Sequence, residues 1–179
     1  GLSLDVTGQQ SHAAYPEQGK NPAFLLSSIV LALPELIEHI THGDPERLLM
    51  ATVVQMKAGE RNFGVSAGTG TLALTLRAYR QEDMEALERA ILDMAQTGCE
   101  RAGMTWQSSR QDVFPDTVNR PECCARVANI LREHNLPTQV LSEPMRWSED
   151  FGWYLQEVPG MYLGLGAGEE QCGLHTDGY

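Results

Sequence analysis

Two short runs of strict alternation limit the architecture of this chain more than any other feature. In residues 2–7, Leu2, Leu4 and Val6 alternate with Ser3, Asp5 and Thr7; in residues 71–79, Leu72, Leu74, Leu76 and Ala78 share one face while the other carries Thr75 and Arg77. A period of two puts every apolar side chain of a strand on one side, so each run predicts a half-buried strand. Residues 48–56 (LLMATVVQM) predict a third strand and TWQSSRQDV, from Thr105, a fourth. Two helical stretches lie between them. Asn21 caps a helix that opens on Pro22, with Phe24, Leu25, Ile29 and Leu33 as its buried face and Pro34 as the point where it kinks or ends. Residues 83–102 predict a second helix, capped by Asp83, striped by Met84, Leu87, Ile91 and Met94, and stopped by Gly103. The order β-α-β-β-α-β over residues 1–114 is that of an α+β, ferredoxin-like sandwich, two helices on one face of a four-stranded antiparallel sheet.

Beyond Pro115 the chain changes character. PECCARVANILREHN (residues 121–135) predicts a helix with Cys124, Val127 and Leu131 on one face, and GMYLGLGAG (residues 160–168) predicts a short buried strand followed by a glycine-rich loop. Such a strand belongs to an α/β sheet, which residues 115–179 are too few to complete. The glycines of LGLGAG lack the full GxGxxG fingerprint and its distal acidic residue, which argues against dinucleotide binding. The sequence contains neither an internal repeat nor a low-complexity segment.

Charge narrows the partners. Thirteen Lys and Arg against 24 Asp and Glu leave a formal charge of −11, which repels phosphate backbones and anionic headgroups and so speaks against nucleic acid and membrane surfaces. No apolar run reaches the roughly 18 uninterrupted residues of a membrane span. The cysteines Cys99, Cys123, Cys124 and Cys172 form no CxxC pair and read as reduced thiols, with a cytoplasmic location as the expectation.

Several residues are candidates for chemistry. His12, in GQQSHAAYP, follows the first strand among small neighbours that leave its ring accessible, although a loop histidine of this kind is also an ordinary surface residue. Arg77, on the polar face of an apolar strand, suits a carboxylate gripped by two parallel hydrogen bonds or a surface salt bridge. Asn62, in GERNFGVSAGTG, sits where a turn residue would also be at home. Ser148 is positioned to cap a helix with Glu149 and Asp150 in its first turn, where the helix dipole favours carboxylates. His175 offers an imidazole to a metal, but zinc needs three or four protein ligands and no other histidine or cysteine lies at ligand spacing.

Taken together, GQQSHAAYPEQGKNPA, GERNFGVSAGTGTLALTLRAY, EPMRWSEDFGWYL and LHTDGY, in this order and spacing, resemble the zinc-dependent aminoacylase and carboxypeptidase family. The similarity is to its amidohydrolase branch of hippurate and indole-acetyl-amino-acid hydrolases. It runs the full length of the chain. It implies a lid or dimerisation domain over residues 1–114 and the returning part of a two-metal catalytic domain over residues 115–179. It further implies a parent enzyme that hydrolyses the amide bond of an N-acyl amino acid or small peptide, with a homodimer formed through the lid. By resemblance His12 is the lid histidine that reaches the neighbouring subunit's active site and stabilises the oxyanion, and Asn62 accompanies it. Arg77 holds the substrate carboxylate, His175 is the last metal ligand, and Glu149 and Asp150 are the acidic pair near the site. In the family the asparagine is followed by an Ile-Pro pair, whereas here FGVSAG follows Asn62. Nothing in this chain matches the family's remaining metal ligands or its general-base glutamate, so these 179 residues alone are expected to be inactive. The competing expectations are a non-catalytic dimerisation or ligand-binding module, and a regulatory sandwich that binds amino acids.

Overall fold

The computed structural model describes residues 1–147, 149–166, 168, 170, 172 and 176. The first six elements are β1 (Leu2–Thr7), α1 (Pro22–Thr41), β2 (Leu49–Ala58), β3 (Thr69–Ala78), α2 (Gln81–Ala102) and β4 (Thr105–Arg110). They form an antiparallel sheet of order β2-β3-β1-β4. This is the ferredoxin-like sandwich. The alternation decides the layering: Leu2, Leu4, Val6, Leu72 and Leu74 are buried against Leu26, Ile29 and Leu33 of α1 and Leu87, Ile91, Ala95 and Cys99 of α2. Each fully buried leucine or isoleucine contributes about 1.5–3 kcal/mol of transfer free energy. The helix layer approaches the sheet closely over Gly70, where a Cβ would lie 2.8 Å from Leu26 Cδ1 and 3.2 Å from the Lys57 carbonyl.

Helix α1 departs from expectation in three ways. Asn21 does cap it, its Oδ1 accepting from the Ala23 N–H at 2.9 Å, but the helix runs through Pro34 to Thr41. Pro34 is exposed, on the side where its ring meets solvent rather than the core. Phe24, expected inside, is 79% exposed, and Leu26, about 200° round the helix from it, is in the core. Among the described residues α1 is also the one helix long and apolar enough, by length and composition, to cross a membrane, with mean hydropathy 1.6. Averaging over its serines and isolated acidic residues reveals what a search for an unbroken apolar run does not.

Helix α2 begins at Gln81 after Arg80, so Asp83 lies inside its first turn instead of capping it. Asp83 is buried there and accepts from Arg47, from Nε at 3.1 Å and also from Nη2. The hydrogen bond to Asp83 holds the Arg47 guanidinium above its ordinary pKa, against the opposing effect of desolvation. A carboxylate buried against the sandwich is tolerable only with such a partner.

At the edge of the sheet, β2 is exposed from Thr52 to Lys57. Its register with β3 shifts between Val53 and Gln55, so Val54 is an extra residue and the strand bulges.

By Cα proximity the chain separates into two compact units, Gly1–Asp116 with Leu141–Ser148, and Thr117–Val140 with Glu149–Tyr179. The second contains α3 (Pro121–Glu133) and α4 (Gly152–Glu157). Cys124, Val127 and Leu131 are half-buried on α3. The strand expected in residues 160–168 does not form among the described residues. Asn119 stands in for a neighbouring strand: its Oδ1 accepts from the Tyr162 N–H at 2.7 Å and its Nδ2 donates to the Tyr162 carbonyl at 2.8 Å. One side chain thus satisfies both backbone groups of one residue. Helix α4 starts after Phe151, so Glu149 and Asp150 precede it and do not occupy its first turn; the expected cap, Ser148, lies outside the described residues.

Candidate functional site

Two loops meet at the end of the sheet where β1 stops and β3 starts. The first, residues 8–20, carries His12; the second, residues 59–68, carries Asn62. Backbone pairing joins them. The Gly8 N–H donates to the Gly68 carbonyl at 2.8 Å, Ser66 N–H to the Ser11 carbonyl at 2.9 Å, and Ala13 N–H to the Gly64 carbonyl at 2.9 Å, with His12 opposite Val65. The Ser11 N–H also donates to Ser66 Oγ at 2.9 Å. Contact is so close that a Cβ on Gly68 would fall 2.7 Å from Gln10 Cγ and 3.0 Å from its backbone nitrogen. Gly68 is therefore needed for the two loops to dock.

The His12 ring is exposed and its orientation is set locally. Its Nδ1 accepts from the Ala14 N–H at 3.0 Å, so in the neutral imidazole the proton sits on Nε2, which becomes the donor. Tyr15 lies beside it, ring centroids 5.9 Å apart. Asn62 turns its own loop, Oδ1 accepting from the Gly64 N–H at 2.9 Å; the carboxamide NH₂ is the part left to donate outward.

Arg77 is elsewhere. On β3, Gly70, Leu72 and Leu74 face the helices, so Thr69, Thr71, Thr75 and Arg77 take the opposite face, with Tyr79 just beyond. Arg77 Nη1 donates to the Arg146 carbonyl at 3.2 Å and the Tyr79 hydroxyl to the Pro144 carbonyl at 2.9 Å. Eight residues of extended chain from Thr69 to Arg77 cover roughly 26 Å, so Arg77 and the His12 loop sit at opposite ends of one sheet.

In the second unit, Glu149 accepts a hydrogen bond from Tyr162. Burial, together with the neighbouring charge of Glu149, raises the Tyr162 phenol above its ordinary value of 10.0. His175 lies outside the described residues, and among those described no three His, Cys, Asp or Glu converge in a way that could hold a metal ion. The described part of the chain thus does not fit a metal centre by itself.

The sequence did not point to Tyr15, Phe63, Tyr79 or Tyr162. For Tyr79 a signal was available, since it continues the Thr75, Arg77 alternation on the open face of β3.

Element order and sheet topology define the class, an α+β ferredoxin-like sandwich with an exposed edge strand. The comparisons make the class specific: residues 1–102 match the peptidase dimerisation domain family, and the chain belongs to it. It is 28% identical over 179 residues to N-acetyldiaminopimelate deacetylase of Bacillus subtilis (strain 168), covering 97% of this chain and 46% of that protein. Identity is also 28%, over 177 residues, to the IAA-amino acid hydrolase ILR1-like 2 of Arabidopsis thaliana, covering 97% of this chain and 38% of that protein. Among solved structures, an aminohydrolase from methicillin resistant Staphylococcus aureus superposes with a TM-score of 0.75 at 25% identity, over 89% of this chain and 40% of that one. The chain spans less than half the length of the curated relatives it matches.

Proposed function

We propose that this chain is the lid and the returning catalytic segment of a metal-dependent amidohydrolase that cleaves the amide bond of N-acyl amino acids or small peptides, and that it works as a homodimer. Zinc is the metal we propose, with His175 as its one ligand from this chain. The remaining ligands and the general base lie in residues outside this sequence. A two-metal site in this enzyme class supplies Lewis acidity and an activated water. In this reading this chain's own residues take the roles that the family resemblance implies. His12 Nε2–H donates to the oxygen on which negative charge develops, Asn62 donates beside it, Arg77 grips the substrate carboxylate with its planar fork, and Glu149 and Asp150 supply acidic groups near the reacting bond. The free state of all four cysteines supports a reducing, cytoplasmic setting. Nucleic acid and membrane surfaces are not partners in this reading.

The observation that carries it is the length of β3. One small substrate cannot touch His12 and Arg77 of the same protomer when roughly 26 Å of strand separates them, but it can touch Arg77 of one copy and His12 of a second. The exposed flank formed by Phe24 and Leu31 of α1 and Val53, Val54 and Met56 of the edge strand β2 is the surface we assign to that association.

The test is complementation in the full-length polypeptide. His12→Ala and Arg77→Ala homodimers are each expected to be nearly inactive on N-acyl amino acids. Mixed after unfolding and refolding, they form hybrids with one site free of both lesions, so about a quarter of the wild-type activity returns for a two-fold dimer. Mixtures as inactive as the separate variants would overturn the reading.

A further inference from the structure

On the open face of β3 the side chains of Arg77 and Tyr79 stand two residues apart, roughly 7 Å along the strand. Each donates to a backbone carbonyl of one segment, Arg77 Nη1 to that of Arg146 at 3.2 Å and the Tyr79 hydroxyl to that of Pro144 at 2.9 Å. The two carbonyls are two residues apart as well, so the spacing of the acceptors matches that of the donors. Residues 141–147 fall in the same compact unit as β3. Among the described residues they form no backbone-to-backbone hydrogen bond, and Pro144 has no N–H to offer one. Side chains hold the segment instead. Tyr79 is fixed at its base, its N–H donating to the Leu48 carbonyl at 3.0 Å, and its half-buried ring has only two torsions to settle. Arg77 is a long, flexible side chain whose guanidinium takes its orientation from what it meets.

We infer that Tyr79 is a positioning residue for the substrate carboxylate: by holding the Pro144 carbonyl it keeps the Arg146 carbonyl where that group orients the Arg77 fork. This rests on the proposed function, in which Arg77 grips the carboxylate, and deepens it by naming what aims the grip. Tyr79 touches no substrate and takes no part in bond cleavage. A guanidinium is planar, so committing one N–H to a fixed carbonyl restricts the plane in which a carboxylate can meet the others. Orienting the fork before substrate arrives removes an ordering cost from binding, so the effect belongs in KM rather than kcat.

The experiment uses the full-length enzyme and one N-acyl amino acid in two forms, with its α-carboxylate free and as the primary amide. It compares the parent with Tyr79→Phe, Arg77→Lys and the double variant. Tyr79→Phe keeps the ring and deletes one hydroxyl, so it should fold as the parent does, which thermal unfolding checks. KM for the free acid is expected to rise about fivefold with kcat within about twofold of the parent. The amide form, which has no carboxylate to grip, should change by less than about twofold in either constant. Arg77→Lys is expected to erase most of the preference for the acid, and adding Tyr79→Phe to it should change that preference no further, because the hydroxyl acts only through the guanidinium. Equal losses on acid and amide, as expected of a residue that only supports the fold, would overturn the inference. So would an unchanged KM for the acid, or a Tyr79→Phe effect that persists undiminished beside Arg77→Lys. Failure of the underlying reading looks different: Arg77→Lys would then leave the preference for acid over amide at its parental value.

Discussion

At His12 the backbone decides which ring nitrogen carries the proton. The Ala14 N–H occupies Nδ1, so removing the ring removes an aimed donor, and His12→Ala is expected to lower kcat of the full-length enzyme by about 10²–10³ with a smaller change in KM, as steady-state kinetics would show. Tyr162 is a second residue with a directional signature. Burial and Glu149 raise its pKa, so folding favours the neutral phenol. Its contribution to stability is therefore intact below pH 10.0 and lost as pH rises through the higher folded value. Tyrosinate absorbance of the parent minus Tyr162→Phe should show this late ionisation, and Glu149→Gln should move it back toward the ordinary value. Burial likewise pushes the Cys99 thiol up; a thiol reagent should label exposed Cys172 in the native chain and leave Cys99 unmodified until it unfolds. The places of His12 on the loop after β1, Asn62 on the 59–68 loop and Arg77 on the open face of β3 were legible in the sequence from where the strand alternation stops, from the glycines and from the alternation itself.

The elements were legible to the extent that alternation and caps specify them. Strands β1 and β3 follow directly from period-two patterning, and Gly103 ends α2 in the left-handed conformation, as a glycine stop should. The face of α1 was legible through Ile29 and Leu33, both buried, but not in its first turns, where apolar residues surround the helix: Phe24, about 200° round from Leu26, points to solvent and Leu26 points inward. Packing over Gly70 decides in favour of Leu26. Leu26→Ala should therefore destabilise the fold by about 2–5 kcal/mol in denaturant unfolding, whereas Phe24→Ala should change the stability of the isolated protomer by no more than about 0.5 kcal/mol. Near Tyr162 the apolar pattern was present but no strand forms among the described residues; the backbone of Tyr162 pairs with the Asn119 side chain, a partner distant in sequence that no local pattern reveals.

On the scale of the whole molecule, the apolar flank of α1 and β2 is the surface that sequence patterning could suggest only as an unpaired edge. If it buries against a second copy, Leu31→Lys should convert dimer to monomer in sedimentation velocity, since Leu31 is 80% exposed in one chain and a cation at a dimer core is desolvated without a partner. In the proposed reading the same variant should also lose hydrolysis in the full-length enzyme, because each substrate would then meet only one of Arg77 and His12. The β2–β3 hairpin acts as a ruler. Deleting a matched pair of residues from each strand would keep every leucine facing inward, because the pleat repeats every two residues, yet would draw Arg77 closer to His12 by roughly 7 Å. Such a protein would retain its core and lose its reach, which is why length variation in this fold should collect in the 42–48 turn and spare the hairpin.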